Sequence, residues 1–132
     1  MSRYCLDTST YSHFKRGEPQ AVELIDRAEW LGISTIVLGE LGAGFLHGAH
    51  RRPNEEQLAE FLSNRVVEVV GVDAEVSRHY AEIFVDLRRA GTPIPTNDIW
   101  IAATAARHGA ILLTYDEHFN AISRVGSVVL RA

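Results

Sequence analysis

"TNDIWIAATAARHGAILLTYDEHF", residues 96–119, predicts a helix over residues 97–108 and then a buried strand over residues 110–114. Asp98 stands in the first turn of that helix, and Asp116 stands just beyond the strand. Each acid has an ordinary explanation, because aspartate caps helices and the N-terminal dipole of a helix favours negative charge. The alternative is that the two acids meet at one edge of the core and hold a cation.

Short apolar strands alternate with helical segments along the rest of the chain. This order predicts βαβ units, right-handed crossovers and a parallel sheet covered by helices on both faces. Strands are predicted at 3–6, 33–37, 66–72, 110–114 and 127–130. Helices are predicted at 8–17, at 20–31, around 38–45, from Pro53, from a cap at Asp73, at 97–108 and briefly after Tyr115. Residues 47–56 are the most loop-like stretch.

The bulk properties indicate one soluble domain. A length of 132 residues suits a single core, predicted to span residues 1–132. No apolar run approaches the roughly 20 residues that span a bilayer, and no signal-peptide core is visible. Cys5 is the only cysteine, which excludes an internal disulfide or a zinc site built from cysteines. We therefore expect a cytosolic protein without membrane contact.

Four acids are predicted to converge on one rim of the sheet, where the carboxyl ends of the parallel strands meet. Asp7 follows the first strand, Glu40 lies three residues beyond the second predicted strand, and Asp98 and Asp116 flank the opening stretch. Clustered carboxylates repel one another, and without a cation at least one takes up a proton. Mg²⁺ or Mn²⁺ suits such oxygen ligands, and two ions together form the clamp used to hydrolyse phosphodiesters.

The residues around these acids bear on the alternatives. Glycines at 39, 42 and 44 surround Glu40, which predicts a segment built for close approach rather than for helix stability. A phosphoaspartate enzyme or receiver domain would need a lysine on a later strand, and the only lysine is Lys15. No phosphate-binding loop or dinucleotide fingerprint is present. The net charge of −4 counts mildly against binding RNA, unless the acids hold cations.

Four segments resemble the acidic motifs of PIN-domain ribonucleases, and most closely those of VapC-type toxins from bacterial toxin–antitoxin pairs. They are DTS at 7–9, STIVLGELGAG at 34–44, PTNDIWIAATAARHGAILLT at 95–114 and TYDEHF at 114–119. The likeness covers essentially the whole chain. It implies a five-stranded parallel sheet of order 3-2-1-4-5 between helices.

The resemblance also implies a site and partners. Asp7, Glu40, Asp98 and Asp116 would bind Mg²⁺ or Mn²⁺, and metal-activated water would cleave RNA phosphodiester bonds. Polar side chains beside them, namely Thr8, Ser9, Asn97 and Thr114, would hydrogen-bond to the ligands. Such proteins usually form homodimers and are silenced by a VapB-like antitoxin, which lays its C-terminal segment across the active-site groove and represses its own operon.

Four basic residues are candidate RNA contacts: Lys15 and Arg16 at the end of the first helix, and Arg51 and Arg52 after the Glu40 helix. Favourable placement at a helix C-terminus or on a solvated surface explains them as well. The position of His118, two residues past Asp116, allows it to approach the site, but no H-x-x-x-H or nucleophile pattern includes it. Two other functions stay open, a PIN-domain nuclease that is not a toxin and a non-catalytic domain that binds RNA or a partner around a structural cation.

Overall fold

The computed structural model describes residues 2–132, which form a five-stranded sheet with the order β3-β2-β1-β4-β5. The strands are β1 (Arg3–Leu6), β2 (Trp30–Ser34), β3 (Val67–Val70), β4 (Ile111–Thr114) and β5 (Ser127–Val129). All neighbouring strands pair in parallel, so the predicted fold and strand order are confirmed. Strand β1 lies in the middle of the sheet, between β2 and β4.

Six α-helices and one 3₁₀ helix connect the strands. They are α1 (Thr8–Lys15), α2 (Pro19–Arg27), α3 (Thr35–His47), α4 (Arg51–Leu62), α5 (Ala74–Ala90), α6 (Thr96–Arg107) and the 3₁₀ helix Glu117–Ala121. None of the helices between residues 2 and 132 combines the length and apolar character needed to cross a membrane.

The sheet has an apolar core on each face, because successive side chains of a strand point to opposite sides. The larger core joins Cys5, Ile33 and Leu112 to helices α3, α5 and α6. The smaller core joins Leu6, Leu31 and Leu113 to helix α2. Helix α6 is buried along most of its length, and its four consecutive small residues at 102–105 let it lie close to its neighbours.

The boundary between β2 and α3 differs from the prediction. The strand predicted at 33–37 lies at Trp30–Ser34, and the helix predicted at 20–31 already ends at Arg27. Ser34 is the reason, because its side chain accepts a hydrogen bond from the Val37 amide at 3.1 Å and caps α3. The β-branched residues that suggested a strand therefore begin a helix, and Glu40 lies in the second turn of that helix rather than the first.

The loop predicted at 47–56 is also wrong, because only residues 48–50 lie outside helices α3 and α4. Helix α4 begins two residues before Pro53, which is tolerated in the first turn because the amide there needs no helical partner. The cap predicted at Asp73 is confirmed by a 2.9 Å hydrogen bond from the Val76 amide. Gly91 then ends α5 in the left-handed conformation, with φ of 70°.

The close approach expected at the glycines of α3 does not involve another segment of residues 2–132. A Cβ atom built at Gly39, Gly42 or Gly44 would meet no atom within 4 Å outside the adjoining residues and backbone of its own helix. Gly32 in β2 does allow close contact, because a Cβ there would lie 2.9 Å from the Cys5 sulfur and closer still to the Trp30 ring. The α3 glycines therefore leave part of the helix surface uncovered, and they do not bring another segment of the chain close to it.

Candidate metal centre

Asp7 is buried at the start of α1, directly after the central strand, and is 5% exposed. Its Oδ1 accepts hydrogen bonds from the Thr10 amide at 2.9 Å and the Ser9 hydroxyl at 3.0 Å. The Asp7 amide donates to the carbonyl of Leu113 at 3.3 Å, which continues the pairing of β1 with β4 by one residue. Asp7 thus caps a helix, as the ordinary explanation expects, and these contacts fix its carboxylate at the rim of the sheet.

Thr114 joins Asp7 to Asp116. Its hydroxyl donates to Asp7 Oδ2 at 2.5 Å and accepts from the Asp116 amide at 2.9 Å. Thr114 is completely buried at the end of β4, so its rotamer is fixed by packing as well as by these bonds. The prediction that Thr114 hydrogen-bonds around the acids matches this contact, and one threonine positions both acids.

Thr10 also supports Asp7, although no sequence motif singles it out. Its hydroxyl lies 2.7 Å from both Asp7 Oδ1 and the carbonyl oxygen of Leu113. A hydroxyl has one proton, so it donates to one of these oxygens at a time. The only sequence signal was its position three residues after a capping aspartate, which does not reveal a contact with a distant strand.

Glu40 reaches the rim from the second turn of α3. Its Oε1 accepts a hydrogen bond from the Thr8 hydroxyl at 2.5 Å, and its Oε2 accepts one from the Asn97 side chain at 3.3 Å. Asn97 precedes Asp98 in the first turn of α6. Glu40 is therefore tied on one side to the helix that Asp7 caps and on the other to the helix that carries Asp98.

Asp98 and Asp116 meet across the ring of His118. Nε2 of His118 lies 2.9 Å from Asp98 Oδ2, and Nδ1 lies 2.9 Å from Asp116 Oδ1. One ligand atom from each of these three residues lies within 4.8 Å of the other two, a spacing that a single metal ion can bridge. Asp7 and Glu40 are not in this group of three, and the hydrogen bonds of Thr114 and Asn97 link them to it.

The electrostatics of the rim favour a cation. Partial burial raises the pKa of Asp98 above its ordinary value, and the negative charges of Glu40 and Asp116 raise it further, while His118 lowers it. A single imidazole carries at most one positive charge against these three carboxylates. A divalent cation removes the remaining repulsion, and carboxylate oxygens are the ligands that Mg²⁺ and Mn²⁺ prefer. The residues present therefore fit such an ion.

The basic candidates lie on two helices. Lys15 and Arg16 border a groove of about 230 Å³ between α1, α3 and α4, which Tyr11 and Leu41 also line. Arg51 forms an ion pair with Glu55 at 3.2 Å on the surface of α4. Arg52 is exposed beside it. Their contact with RNA stays a prediction, although Leu41 connects the groove to the Glu40 segment.

Comparison with known proteins agrees with this fold and identifies the family. The family described as "PIN domain" matches residues 4–125. Ribonuclease VapC4 of Mycobacterium tuberculosis is 35% identical over 102 residues, which cover 77% of this chain and 78% of that protein. Ribonuclease VapC5 of the same organism is 32% identical over 124 residues, which cover 93% of this chain and 90% of that protein. The chain therefore belongs to the PIN-domain family and, within it, to the VapC ribonucleases.

Solved structures show the same fold. VapBC2 from Rickettsia felis, bound to a DNA fragment from its promoter, matches with a TM-score of 0.85 at 26% identity and covers 97% of this chain and 98% of that chain. DNA-bound VapBC from Salmonella typhimurium has the same TM-score and identity and covers 98% of each chain. The likeness extends over the whole sheet and all the elements that carry the acids.

Proposed function

We propose that this chain is an endoribonuclease that depends on Mg²⁺ or Mn²⁺ and acts as the toxin of a toxin–antitoxin pair. The observation that carries the proposal is the convergence of Asp7, Glu40, Asp98 and Asp116. They come from four separate segments and are connected by hydrogen bonds and close contacts through Thr114, Thr8, Asn97 and His118. The ribonuclease names of the relatives support the same reading.

In this proposal the acids hold the divalent ion, which when bound lowers the pKa of a water molecule and stabilises charge on the phosphate. Asp7 Oδ2 keeps a lone pair free, because it accepts only the Thr114 bond. Thr8 and Asn97 each donate a hydrogen bond to one oxygen of Glu40, and together they fix its carboxylate at the rim. In the reaction the water oxygen bonds to phosphorus, the ester P–O bond breaks, and the leaving oxygen takes up a proton.

The groove beside α1 and α4 is the proposed path of the RNA. Lys15 and Arg16 border it, and Arg51 and Arg52 lie on α4, so four positive charges would compensate phosphates near an acidic centre. The chain has a net charge of −4, so binding depends on where its cations lie rather than on its total charge.

We further propose that the chain forms a homodimer and that a VapB-like antitoxin binds it. The support is the set of solved neighbours named as VapBC complexes, two of which are bound to DNA. The open surface at Gly39, Gly42 and Gly44 is available for such contacts. A small open reading frame directly beside this gene should encode the antitoxin, and its product should co-purify with this chain.

The function is tested with Asp98→Asn, which keeps the shape of the side chain and removes its charge. Purified wild-type protein with Mn²⁺ should cleave a panel of cellular RNAs, and sequencing of the new ends should show a defined site. Asp98→Asn should reduce cleavage at least about 100-fold, as expected when a metal site loses an essential ligand. It should also relieve growth arrest when the chain is expressed.

Asp26→Asn is the matched control, because it makes the same substitution on exposed residue 26 of α2. It should cleave RNA like the wild type. If the wild type leaves all RNAs intact with Mn²⁺ and Mg²⁺, or if Asp98→Asn cleaves as well as Asp26→Asn, the nuclease proposal fails. If the wild type leaves all RNAs intact, a non-catalytic binding domain is the better description. If Asp98→Asn cleaves as well as Asp26→Asn, RNA cleavage does not depend on this acid site.

A further inference from the structure

His118 is held firmly at the centre of the acid cluster. It belongs to the 3₁₀ helix that Asp116 caps, and its amide donates to Asp116 Oδ1 at 3.1 Å. The next residue, Phe119, is 1% exposed and anchors this helix in the larger core. The capped 3₁₀ helix therefore fixes the backbone position from which the imidazole reaches between Asp116 and Asp98. The His118 side chain is only 30% exposed.

Nε2 of His118 has no hydrogen-bond partner among residues 2–132, although the atom is buried. Asp98 Oδ2 lies 2.9 Å away, but the ring nitrogen and this oxygen do not have the geometry of an aligned hydrogen bond. A buried polar atom without a partner is destabilising and calls for an explanation. A cation shared with the carboxylate explains both the distance and the missing bond.

The distances agree with shared ligation. In an octahedral ion with bonds of about 2.1 Å, neighbouring ligand atoms lie about 3 Å apart. The separation of His118 Nε2 from Asp98 Oδ2 is 2.9 Å. The other ring nitrogen, Nδ1, lies 2.9 Å from Asp116 Oδ1, so the ring is held between the two acids.

We infer that Nε2 of His118 is a ligand of the divalent ion, alongside the carboxylates of Asp98 and Asp116. This inference rests on the proposed function, since it takes the acid cluster to be a metal site. It adds a nitrogen to a set of ligands that is otherwise all oxygen. Imidazole binds first-row transition ions better than Mg²⁺, so His118 favours Mn²⁺ over Mg²⁺ at this site and favours Co²⁺, which lies later in the series, more strongly still.

The test measures metal binding without RNA. Protein freed of metal by a chelator is titrated with Mn²⁺ and, separately, with Mg²⁺, and the bound Mn²⁺ is examined by pulsed electron paramagnetic resonance. Wild-type protein should show coupling of Mn²⁺ to one ¹⁴N nucleus. His118→Ala and His118→Gln should lose that coupling and bind Mn²⁺ about tenfold more weakly, while Mg²⁺ affinity changes less.

His47→Ala is the matched control, because His47 is exposed at the end of α3, about 10 Å along the helix from Glu40. It should keep the nitrogen coupling and both affinities. Circular dichroism verifies that each variant is folded, and the wild-type spectrum tests the inference without any variant. Absence of ¹⁴N coupling in the wild type, or its persistence in both His118 variants, overturns the inference.

The outcome for Asp98→Asn separates this inference from the proposed function. If Asp98→Asn loses RNA cleavage while the nitrogen coupling persists in the His118 variants, only the role of His118 is wrong. If Asp98→Asn still cleaves RNA, the proposed function fails, while the ¹⁴N coupling of the wild type and the His118 variants still decides whether His118 binds the ion.

Discussion

At the scale of single residues, Thr114 contributes most by connecting Asp7 to Asp116 through its hydroxyl. Its hydroxyl contacts two acids that lie at opposite ends of the chain, and the bond to Asp7 joins residues 107 positions apart. A threonine at the end of a strand reads as an ordinary β-branched core residue. Its importance lies in the hydroxyl, because a buried carboxylate without a donor is costly.

Thr114→Val tests that hydroxyl with almost no change of shape. We expect the free energy of unfolding to fall by about 1–3 kcal/mol, because Asp7 Oδ2 loses its only donor. We also expect Mn²⁺ affinity to fall about 10- to 100-fold, as for other residues that orient metal ligands. Urea denaturation and metal titration measure the two effects.

Thr104→Val is the control for Thr114→Val. Thr104 is equally buried, but its hydroxyl donates to the carbonyl of Trp100 within α6 and touches no acid. It should leave metal affinity unchanged. Equal metal affinities for wild type and Thr114→Val would show that Thr114 only packs.

The four acids could be predicted individually from the sequence, because strand ends and motif spacing mark their positions. Asp7 and Asp116 do cap helices, and helix capping is compatible with the proposed metal site. Thr10 and His118 could not be assigned in this way. Their contacts with Leu113 and Asp98 depend on how distant segments pack, which local pattern does not encode.

At the scale of elements, the segment after the 3₁₀ helix is clamped to α5 by Arg124. Its guanidinium donates to Asp86 at 2.5 Å and to Glu82 at 2.7 Å. The hydrogen bond and positive charge of Arg124 lower the pKa of Asp86 below its ordinary value of 3.8. The clamp therefore holds the piece of chain that follows Asp116 and His118.

Arg124→Gln should lower the melting temperature at pH 7. A depressed carboxyl pKa contributes stability that is present above the unfolded-state pKa and is lost as pH falls through the folded-state pKa. The difference between wild type and variant should therefore shrink once the pH falls below about 3.8, the ordinary pKa of Asp86. Calorimetry between pH 7 and pH 2.5 measures it.

Arg65→Gln provides the comparison, because Arg65 is exposed and forms no ion pair within the described chain. Its effect on the melting temperature should be small at every pH. A deficit for Arg124→Gln that persists undiminished in acid would mean that the clamp acts through packing rather than charge.

Element boundaries were predicted less well than element order. Residues 33–37 have strand propensity, but Ser34 caps a helix there, and a single capping bond outweighs the preference of β-branched residues. Residues 51 and 52 looked like part of a loop, yet they open α4 in front of a proline. Both errors are cases in which a helix start overrides the average propensity of its neighbours.

At the scale of the molecule, the balance of charge links metal binding to stability. The site gathers carboxylates that repel one another in a chain whose net charge is already −4. A ligand that binds only the folded state stabilises it, by about 2.7 kcal/mol at a hundredfold excess over its dissociation constant.

Mn²⁺ at that excess should therefore raise the free energy of unfolding by about 2.7 kcal/mol, and a chelator should reverse the gain. Asp98→Asn should show much less stabilisation, while Asp26→Asn should respond like the wild type. Urea denaturation with and without Mn²⁺ measures the change. No stabilisation of the wild type would contradict a metal site at this rim.

The whole fold was predictable in two stages. Alternating strands and helices predict a parallel sheet, because parallel neighbours need crossovers. They do not specify which strand lies in the middle, and the order 3-2-1-4-5 came from the resemblance of the motifs. The first strand is central, with β2 paired on one side and β4 on the other. This arrangement depends on how the helices pack on both faces of the sheet, which the order of elements does not specify.

The central position of β1 also sets the time at which the site can exist. As the ribosome makes the chain, Asp7 emerges early, but its partner Thr114 lies 107 residues later. All four acids lie at the rim only after β4 has paired with β1 and the 3₁₀ helix has formed. An unfinished chain that ends before Thr114 therefore lacks the assembled centre, whatever part of the sheet it has already formed.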